Sequence, residues 1–164
     1  MVKKIYYGRA VYDKKEINAV INVLKNNSLS LIDGEKVKKL EKNISNIFGK
    51  KYGLMVNSGS SANLLALSSF NFKKGSEVIT PSLTFSTTVA PIYQLGLVPH
   101  FIGVEENKFL ADISQIKKCI NKKTVAIMIP NLLGNIADWK KIHIIAKKFN
   151  LKVLRTLLIP LDIK

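Results

Sequence analysis

The chain has 164 residues, 47% apolar and 23% charged, which is enough for one domain with a hydrophobic core and excludes a wholly disordered chain. Its apolar stretches are too short to span a membrane, its amino terminus shows no signal peptide, and its single Cys119 is typical of a reducing, cytoplasmic environment. The net charge of +15 does not predict nucleic-acid binding, because 24 of the 26 basic residues are lysines, many of them in scattered pairs, whereas nucleic-acid readers favour arginine.

Helical and strand periodicities alternate along the chain. In chain order, the sequence predicts a helix at 14–24, a helix at 34–48, a strand at 52–56, a helix at 60–70, a strand at 77–80, a helix at 84–95 with Pro91 inside it, a strand at 98–104, a helix at 112–120, a strand at 124–129, a helix at 137–149 and a strand at 151–154. Alternating strands and helices with short connections predict a mostly parallel sheet covered by helices, with ligands at the carboxyl ends of the strands.

The segment from Asn57 to Asn63 is rich in small polar residues and joins a predicted strand to a predicted helix. Gly59 would let the backbone turn sharply, and the first N–H groups of the helix would have no partners within it. With the serine hydroxyls, these groups would form an anion pocket suited to a phosphate. The alternative, which the local pattern favours, is that Ser58 or Ser60 only caps the helix.

Phe85 follows a polar turn after the predicted strand at 77–80. An aromatic ring at the carboxyl end of such a strand could stack on a planar ligand. Taken alone, however, a phenylalanine is more often part of the core.

The remaining reactive residue types form no recognisable constellation. His100 and His143 have no partner at the spacing of a metal site or a catalytic triad. No phosphate-binding P-loop and no dinucleotide motif is present, and the sequence predicts no metal site.

Three segments taken together resemble the DegT/DnrJ/StrS family of sugar aminotransferases, which depend on pyridoxal 5′-phosphate (PLP), and their sugar 3-dehydratase relatives. The segments are VNSGSSANLLAL, GSEVITPSLTFSTTVAPIYQLGLVPHFIGVE and IMIPNLLGNIADWKKIHIIAKKFNLKV, and the resemblance covers residues 6–154. It implies an α/β fold, the amino-terminal part of the large domain of PLP enzyme fold type I, as in aspartate aminotransferase. It also implies a cytoplasmic homodimer that acts on nucleotide-linked keto-sugars, with glutamate, in lipopolysaccharide or O-antigen type biosynthesis.

The resemblance also implies roles for four residues. Gly59, Ser60 and Ser61 would cradle the PLP phosphate, and Phe85 would stack on the pyridine ring. The family would make the chain part of a nucleotide-sugar aminotransferase. One alternative is a nucleotide-4-keto-6-deoxysugar 3-dehydratase. The amino-acid sequences of 57–63 and 133–135 resemble most closely the branch of the family that includes these dehydratases. Another is a remnant without catalysis or ligand.

The resemblance ends at Leu154. The family continues with Glu-Asp, and its Asp pairs with the protonated pyridine nitrogen, whereas this chain continues with Arg155 and Thr156. When residues 155–164 are translated back into codons with suitably chosen third bases, one inserted base gives the reading EDSADTIGYK, the continuation typical of the family. The sequence thus predicts an incomplete PLP-binding domain at 1–154 and a frameshifted tail at 155–164. The family's Schiff-base Lys or catalytic His would lie beyond this point, so no catalytic residue is expected and the chain should be inactive.

Overall fold

The structure, a computed structural model, describes residues 10–26, 31–32 and 34–157. The chain divides into two compact units, Met1–Met55 and Val56–Lys164. None of the described helices is long and apolar enough to cross a bilayer.

The first unit contains two helices, α1 (Lys14–Asn26) and α2 (Glu35–Ile47). At the start of α1, the Lys15 N–H donates to Asp13 Oδ1 and the Asp13 N–H donates to Glu16 Oε2. This reciprocal pairing is a capping box, which satisfies two N–H groups that the first turn leaves without partners. The two helices confirm the first two helical predictions.

The prediction of a strand at 52–56 is wrong. No described residue pairs with this segment in a sheet, and the Met55 N–H instead donates to Glu41 Oε1 at 2.7 Å. The backbone approaches α2 so closely that a Cβ on Gly53 would lie 2.5 Å from the Glu41 carbonyl oxygen. The apolar composition of 52–56 suggested a strand, but a strand needs a neighbouring strand to satisfy its backbone groups. The segment is also not buried as a sheet strand would be, since Leu54 is 76% exposed.

The second unit alternates helices and strands. Its elements are α3 (Gly59–Ser68), β1 (Glu77–Pro81), α4 (Ser86–Gln94), β2 (Val98–Ile102), α5 (Ile113–Cys119), β3 (Thr124–Asn131), a 3₁₀ turn (Leu132–Gly134), α6 (Trp139–Lys148) and β4 (Lys152–Leu157). The strands form one parallel sheet in the order β2-β1-β3-β4. This architecture confirms the predicted α/β class, with bounds that differ by a few residues.

The strand predicted at 98–104 ends two residues early, at Ile102. The next N–H, that of Gly103, donates to Gln115 Oε1 at 2.9 Å, and Val104 makes an isolated antiparallel bridge to Ala111. After Ile102 the backbone therefore no longer pairs with β1 and instead makes a hydrogen bond to α5.

The two faces of the sheet bury two separate hydrophobic cores. Ile127 and Ile129 of β3 point toward the core that contains Ile116 of α5 and Ile142 of α6. The alternate residues of β3 pack in the other core, whose members include Leu67 of α3, Val78, Ile92 of α4, Ala126, Met128 and Leu154. Because β3 is buried on both faces, its continuously apolar sequence is the one expected of a central parallel strand.

A polar cluster joins the amino ends of the first three strands. Glu77 Oε2 accepts a hydrogen bond from Asn121 Nδ2 at 2.7 Å and lies 3.1 Å from His100 Nδ1. The bond from Asn121, followed by that from His100, holds the pKa of the Glu77 carboxyl below its usual range. A carboxylate whose pKa is lowered by folding stabilises the fold above its unfolded-state pKa, and this contribution is lost as the pH falls through the folded-state pKa.

We therefore expect the difference in unfolding free energy between the wild type and Glu77→Gln to be largest at neutral pH and to shrink below about pH 4. Urea unfolding between pH 3 and pH 7 measures this difference. Glu106→Gln, at an exposed residue, is the matched control. A difference between the wild type and Glu77→Gln that is independent of pH would contradict the role assigned to this cluster.

Candidate functional site at the carboxyl edge of the sheet

Helix α3 begins with a serine cap. Ser58 has an extended backbone, and its Oγ accepts a hydrogen bond from the Ser61 N–H at 3.1 Å. The Ala62 N–H donates to the Ser58 carbonyl oxygen, which closes the first turn. The capping alternative is therefore confirmed for Ser58.

Two N–H donors at the start of α3 take no part in the cap. The N–H groups of Gly59 and Ser60 have no partner among the described residues, because they precede the first intrahelical bond. The Ser60 side chain is exposed, the first turn contains no acidic residue, and both features leave the positive end of the helix dipole accessible. Capping and anion binding are therefore compatible at this helix, because they use different N–H groups.

Gly59 does not make the sharp turn that the sequence suggested. Its φ lies outside the left-handed region, and a Cβ added to it would meet nothing within 4 Å. Open space above Gly59 leaves its backbone accessible to a ligand.

A side-chain hydrogen bond ties α3 to α4. Asn63, which is 9% exposed, donates from Nδ2 to the Thr87 carbonyl oxygen at 3.1 Å. Pro91 lies four residues after Thr87 and has no N–H, so the Thr87 carbonyl has no intrahelical donor. The Asn63 amide supplies the missing donor and joins the second turn of α3 to the first turn of α4.

The two helices enclose a recess of about 200 Å³ that is lined by Ser60, Ser61 and Thr87, among others. The recess extends along α4 from Thr87 to Gln94, and its end at Thr87 lies near the carboxyl end of β1, which α4 follows. Ser60 and Ser61 thus share one recess with the start of α4, and Gly59 immediately precedes them in the chain.

Phe85 is the residue that precedes α4, and its side chain is 57% exposed. The interpretation of Phe85 as a core residue is therefore wrong. An extended backbone at the start of α4 turns the chain before the helix begins and leaves the ring outside both cores.

Four buried threonine hydroxyls have no hydrogen-bond partner among the described residues: those of Thr80, Thr84, Thr88 and Thr156. A buried hydroxyl without a partner costs about 1–3 kcal/mol. Thr156 of β4 lies beside Asn63 in a second recess of about 260 Å³. Sequence reasoning assigned no role to Thr156 or to Asn63, although Pro91 four residues after Thr87 was a signal that an outside donor was needed.

A larger groove, of about 800 Å³, lies between α5 and α6 on the other face of the sheet. Two of its cations are already paired, Lys108 with Glu105 and Lys141 with Asp138. Among the described residues, no group of three His, Cys, Asp or Glu side chains could hold a metal ion. The unpaired donors and hydroxyls therefore favour the carboxyl edge near α3 and α4 as the candidate site.

The sequence profile of the DegT/DnrJ/EryC1/StrS aminotransferase family matches residues 11–155. The chain is 39% identical over 139 residues to GDP-4-keto-6-deoxy-D-mannose 3-dehydratase of Yersinia pseudotuberculosis, which covers 81% of this chain and 35% of that protein. It is 32% identical to dTDP-3-amino-3,6-dideoxy-alpha-D-galactopyranose transaminase of Aneurinibacillus thermoaerophilus, over 86% of this chain and 39% of that protein. The chain thus spans little more than a third of the length of these relatives.

The solved structure of the GDP-4-keto-6-deoxy-D-mannose 3-dehydratase of Escherichia coli with bound hydrated PLP superposes with a TM-score of 0.83. The two are 32% identical, and the match covers 95% of this chain and 42% of that structure. The similarity therefore extends through both units of this chain.

We expect Asn63→Ala to lower the free energy of unfolding by about 1–3 kcal/mol, because the Thr87 carbonyl loses its donor. Urea unfolding measures the loss, and Ser68→Ala on the exposed far end of α3 is the control. Pro91→Ala adds an N–H that can reach the Thr87 carbonyl from within α4. In that background Asn63→Ala should cost less, and equal costs in both backgrounds would contradict the role assigned to Asn63.

Proposed function

Because the chain belongs to the DegT/DnrJ/EryC1/StrS aminotransferase family, we propose that it is the amino-terminal part of a PLP-dependent enzyme of nucleotide-sugar metabolism. The fold is that of the large domain of PLP enzyme fold type I, of which the chain forms the amino-terminal part. The family depends on PLP, and we propose that the carboxyl-edge site of this chain is its binding site.

The single observation that carries this proposal is the pair of unpartnered N–H groups at the start of α3. Those of Gly59 and Ser60, with the hydroxyls of Ser60 and Ser61, would hold the cofactor phosphate. A helix amino terminus stabilises an anion through its free N–H groups and its dipole. The residues present fit a phosphate, because the two N–H groups have no partner among the described residues, the approach to Gly59 is open and the first turn of α3 contains no acidic residue. The Ser61 hydroxyl accepts a hydrogen bond from Ser58 Oγ and keeps its own proton to donate.

Phe85 would hold the cofactor ring. Its exposed side chain, at the start of α4, lies next to the helix whose Thr87 lines the phosphate recess. We propose that its ring stacks on the pyridine face, since offset aromatic contacts are favourable. The cofactor, when bound, supplies an electron sink for carbanion chemistry, while this chain's residues bind and orient it.

For the substrate, we propose a nucleotide-linked 4-keto-6-deoxysugar used in polysaccharide biosynthesis. Identity is higher to the 3-dehydratase, at 39%, than to the transaminase, at 32%. This difference favours 3-dehydration over amination of the sugar, with glutamate as amino donor in either case. From the family we further propose a cytoplasmic homodimer.

We further propose that residues 155–164 are a frameshifted tail of a PLP-binding domain that is incomplete at 1–154. The support is the reading EDSADTIGYK, which one inserted base produces from codons compatible with this tail. Sequencing the gene across codon 154 tests the proposal. We expect the frame that reads EDSADTIGYK to stay open beyond this stretch. A gene sequence in which that frame reads differently, or stops directly after these ten codons, would contradict the proposal.

The cofactor proposal is tested by binding of pyridoxamine 5′-phosphate (PMP), which cannot form imines with the 24 lysines of the chain. We expect the double variant Ser60→Ala, Ser61→Ala to bind PMP about tenfold more weakly, because hydrogen bonds to charged groups contribute about 1.5–3 kcal/mol. Binding should persist, since the backbone N–H groups remain. Phe85→Leu should weaken binding about 2- to 10-fold by removing the aromatic face.

Calorimetric titration at pH 7.5 measures these affinities, with Ser68→Ala as the control at the other end of α3. Inorganic phosphate should compete with PMP for the wild type. Absence of PMP binding, or equal affinities in the wild type and the double variant, would refute the proposed site.

A further inference from the structure

The order of the four strands creates a crevice at the carboxyl edge of the sheet. β1 and β3 are neighbours, but β1 continues into α4 and β3 continues into α6. Ile92 of α4 packs in the core on one face of the sheet, and Ile142 of α6 packs in the core on the other face. Connections that diverge in this way mark the switch point of an open parallel sheet, which is where such folds bind ligands.

The turn that follows β3 borders this crevice and rises above its floor. In the register of the two strands, Ile79 of β1 lies opposite Ile127 of β3. β1 ends two residues after this pair, at Pro81, whereas β3 continues for four residues, to Asn131. At about 3.3 Å per residue, β3 therefore extends roughly 7 Å beyond the end of β1. The 3₁₀ turn Leu132–Gly134 follows directly after that extension.

Leu133, in the middle of this turn, has a backbone conformation that leucine rarely adopts. Its φ is 52° and its ψ is 36°, which is the left-handed region and is unfavourable for a residue with a Cβ. Asn131, which is 2% exposed, holds one end of the turn, because its Oδ1 accepts a hydrogen bond from Trp139 Nε1 at 3.1 Å. Asn135 holds the other end, where its Nδ2 donates to the Lys108 carbonyl oxygen at 3.2 Å. The surrounding hydrogen bonds therefore impose the strained conformation on Leu133.

The Leu133 side chain contributes little to the packing of the described residues. It is 69% exposed and belongs to neither hydrophobic core. A glycine or an asparagine would adopt this backbone conformation more readily. Contact with a ligand therefore explains a strained, exposed leucine at the switch point better than the stability of the fold does.

The two sides of the crevice are available to different parts of the bound molecules. Phe85, which follows β1, and the start of α3 form the proposed cofactor site. Leu133 follows β3 and takes no part in that site, so the β3 side remains for the substrate.

On the basis of the proposed function, we infer that Leu133 is a specificity-determining residue that contacts the C6 methyl group of a nucleotide-linked 6-deoxysugar. In a 6-deoxyhexose, C6 is the one carbon that carries no oxygen, so its methyl group matches an apolar side chain. A hydroxyl at C6 would lose hydrogen bonds to water against the leucine without gaining a partner. Leu133 therefore selects sugars from which the C6 oxygen has already been removed.

The test compares nucleotide sugars that differ only in the oxygen at C6. The pairs are GDP-6-deoxy-D-mannose with GDP-D-mannose, and dTDP-6-deoxy-D-glucose with dTDP-D-glucose. Calorimetric titration of the complete 164-residue chain, in the presence of PMP, measures the four affinities. In at least one pair, we expect the wild type to bind the 6-deoxy sugar about 5- to 50-fold more tightly, because the other sugar buries a hydroxyl against an apolar group.

Leu133→Asn removes the apolar contact and tolerates the left-handed backbone, so we expect it to reduce this preference to less than about twofold. Ile144→Asn replaces another exposed aliphatic side chain, on α6, and should keep the preference of the wild type. Urea unfolding separates a ligand contact from a structural role. We expect the urea midpoint of Leu133→Asn to be at or above that of the wild type, because asparagine relieves backbone strain.

Absence of a preference for the 6-deoxy sugars in the wild type, an equal preference in Leu133→Asn, or a lower urea midpoint in Leu133→Asn overturns the inference. If PMP then still binds the wild type, and binds the Ser60, Ser61 double variant more weakly, the proposed function stands without the inference. If the wild type binds neither PMP nor any of the four nucleotide sugars, the proposed function and the inference both fall.

Discussion

The geometry of the candidate site depends on the hydrogen bond from the Asn63 amide to the Thr87 carbonyl. Pro91 removes the helical donor for that carbonyl, and α3 supplies another in its place. The bond also affects the positions of the two helices. Because the bond joins the fifth residue of α3 to the second residue of α4, it fixes both helix starts at the same edge of the sheet.

The serine cap at Ser58 determines which donors at the start of α3 remain available. Ser58 Oγ accepts from the Ser61 N–H and donates to Ser61 Oγ, whereas the N–H groups of Gly59 and Ser60 have no partner among the described residues.

Periodicity predicted most of the fold because the signal was local and strong. The central strand β3 could be predicted from a continuous apolar run, since burial on both faces requires one. The segment 52–56 is also mostly apolar, but it pairs with none of the described residues, and pairing is a property of tertiary structure. The exposure of Phe85 and the partner of Asn63 also depend on how helices pack. Thr156 could be noticed only as a departure from a family pattern, and its burial only from the structure.

The strand order also sets the order in which the sheet can assemble. Glu77 and Val98 pair across 21 positions and Ala126 and Lys152 across 26, whereas Ile79 and Ile127 pair across 48. Closing the longest of these loops costs about 0.7 kcal/mol more than closing the shortest, so we expect the β1–α4–β2 and β3–α6–β4 units to form before they join. The seam between β1 and β3, where the register shifts between Glu77 and Val78, is then the boundary at which the two units meet.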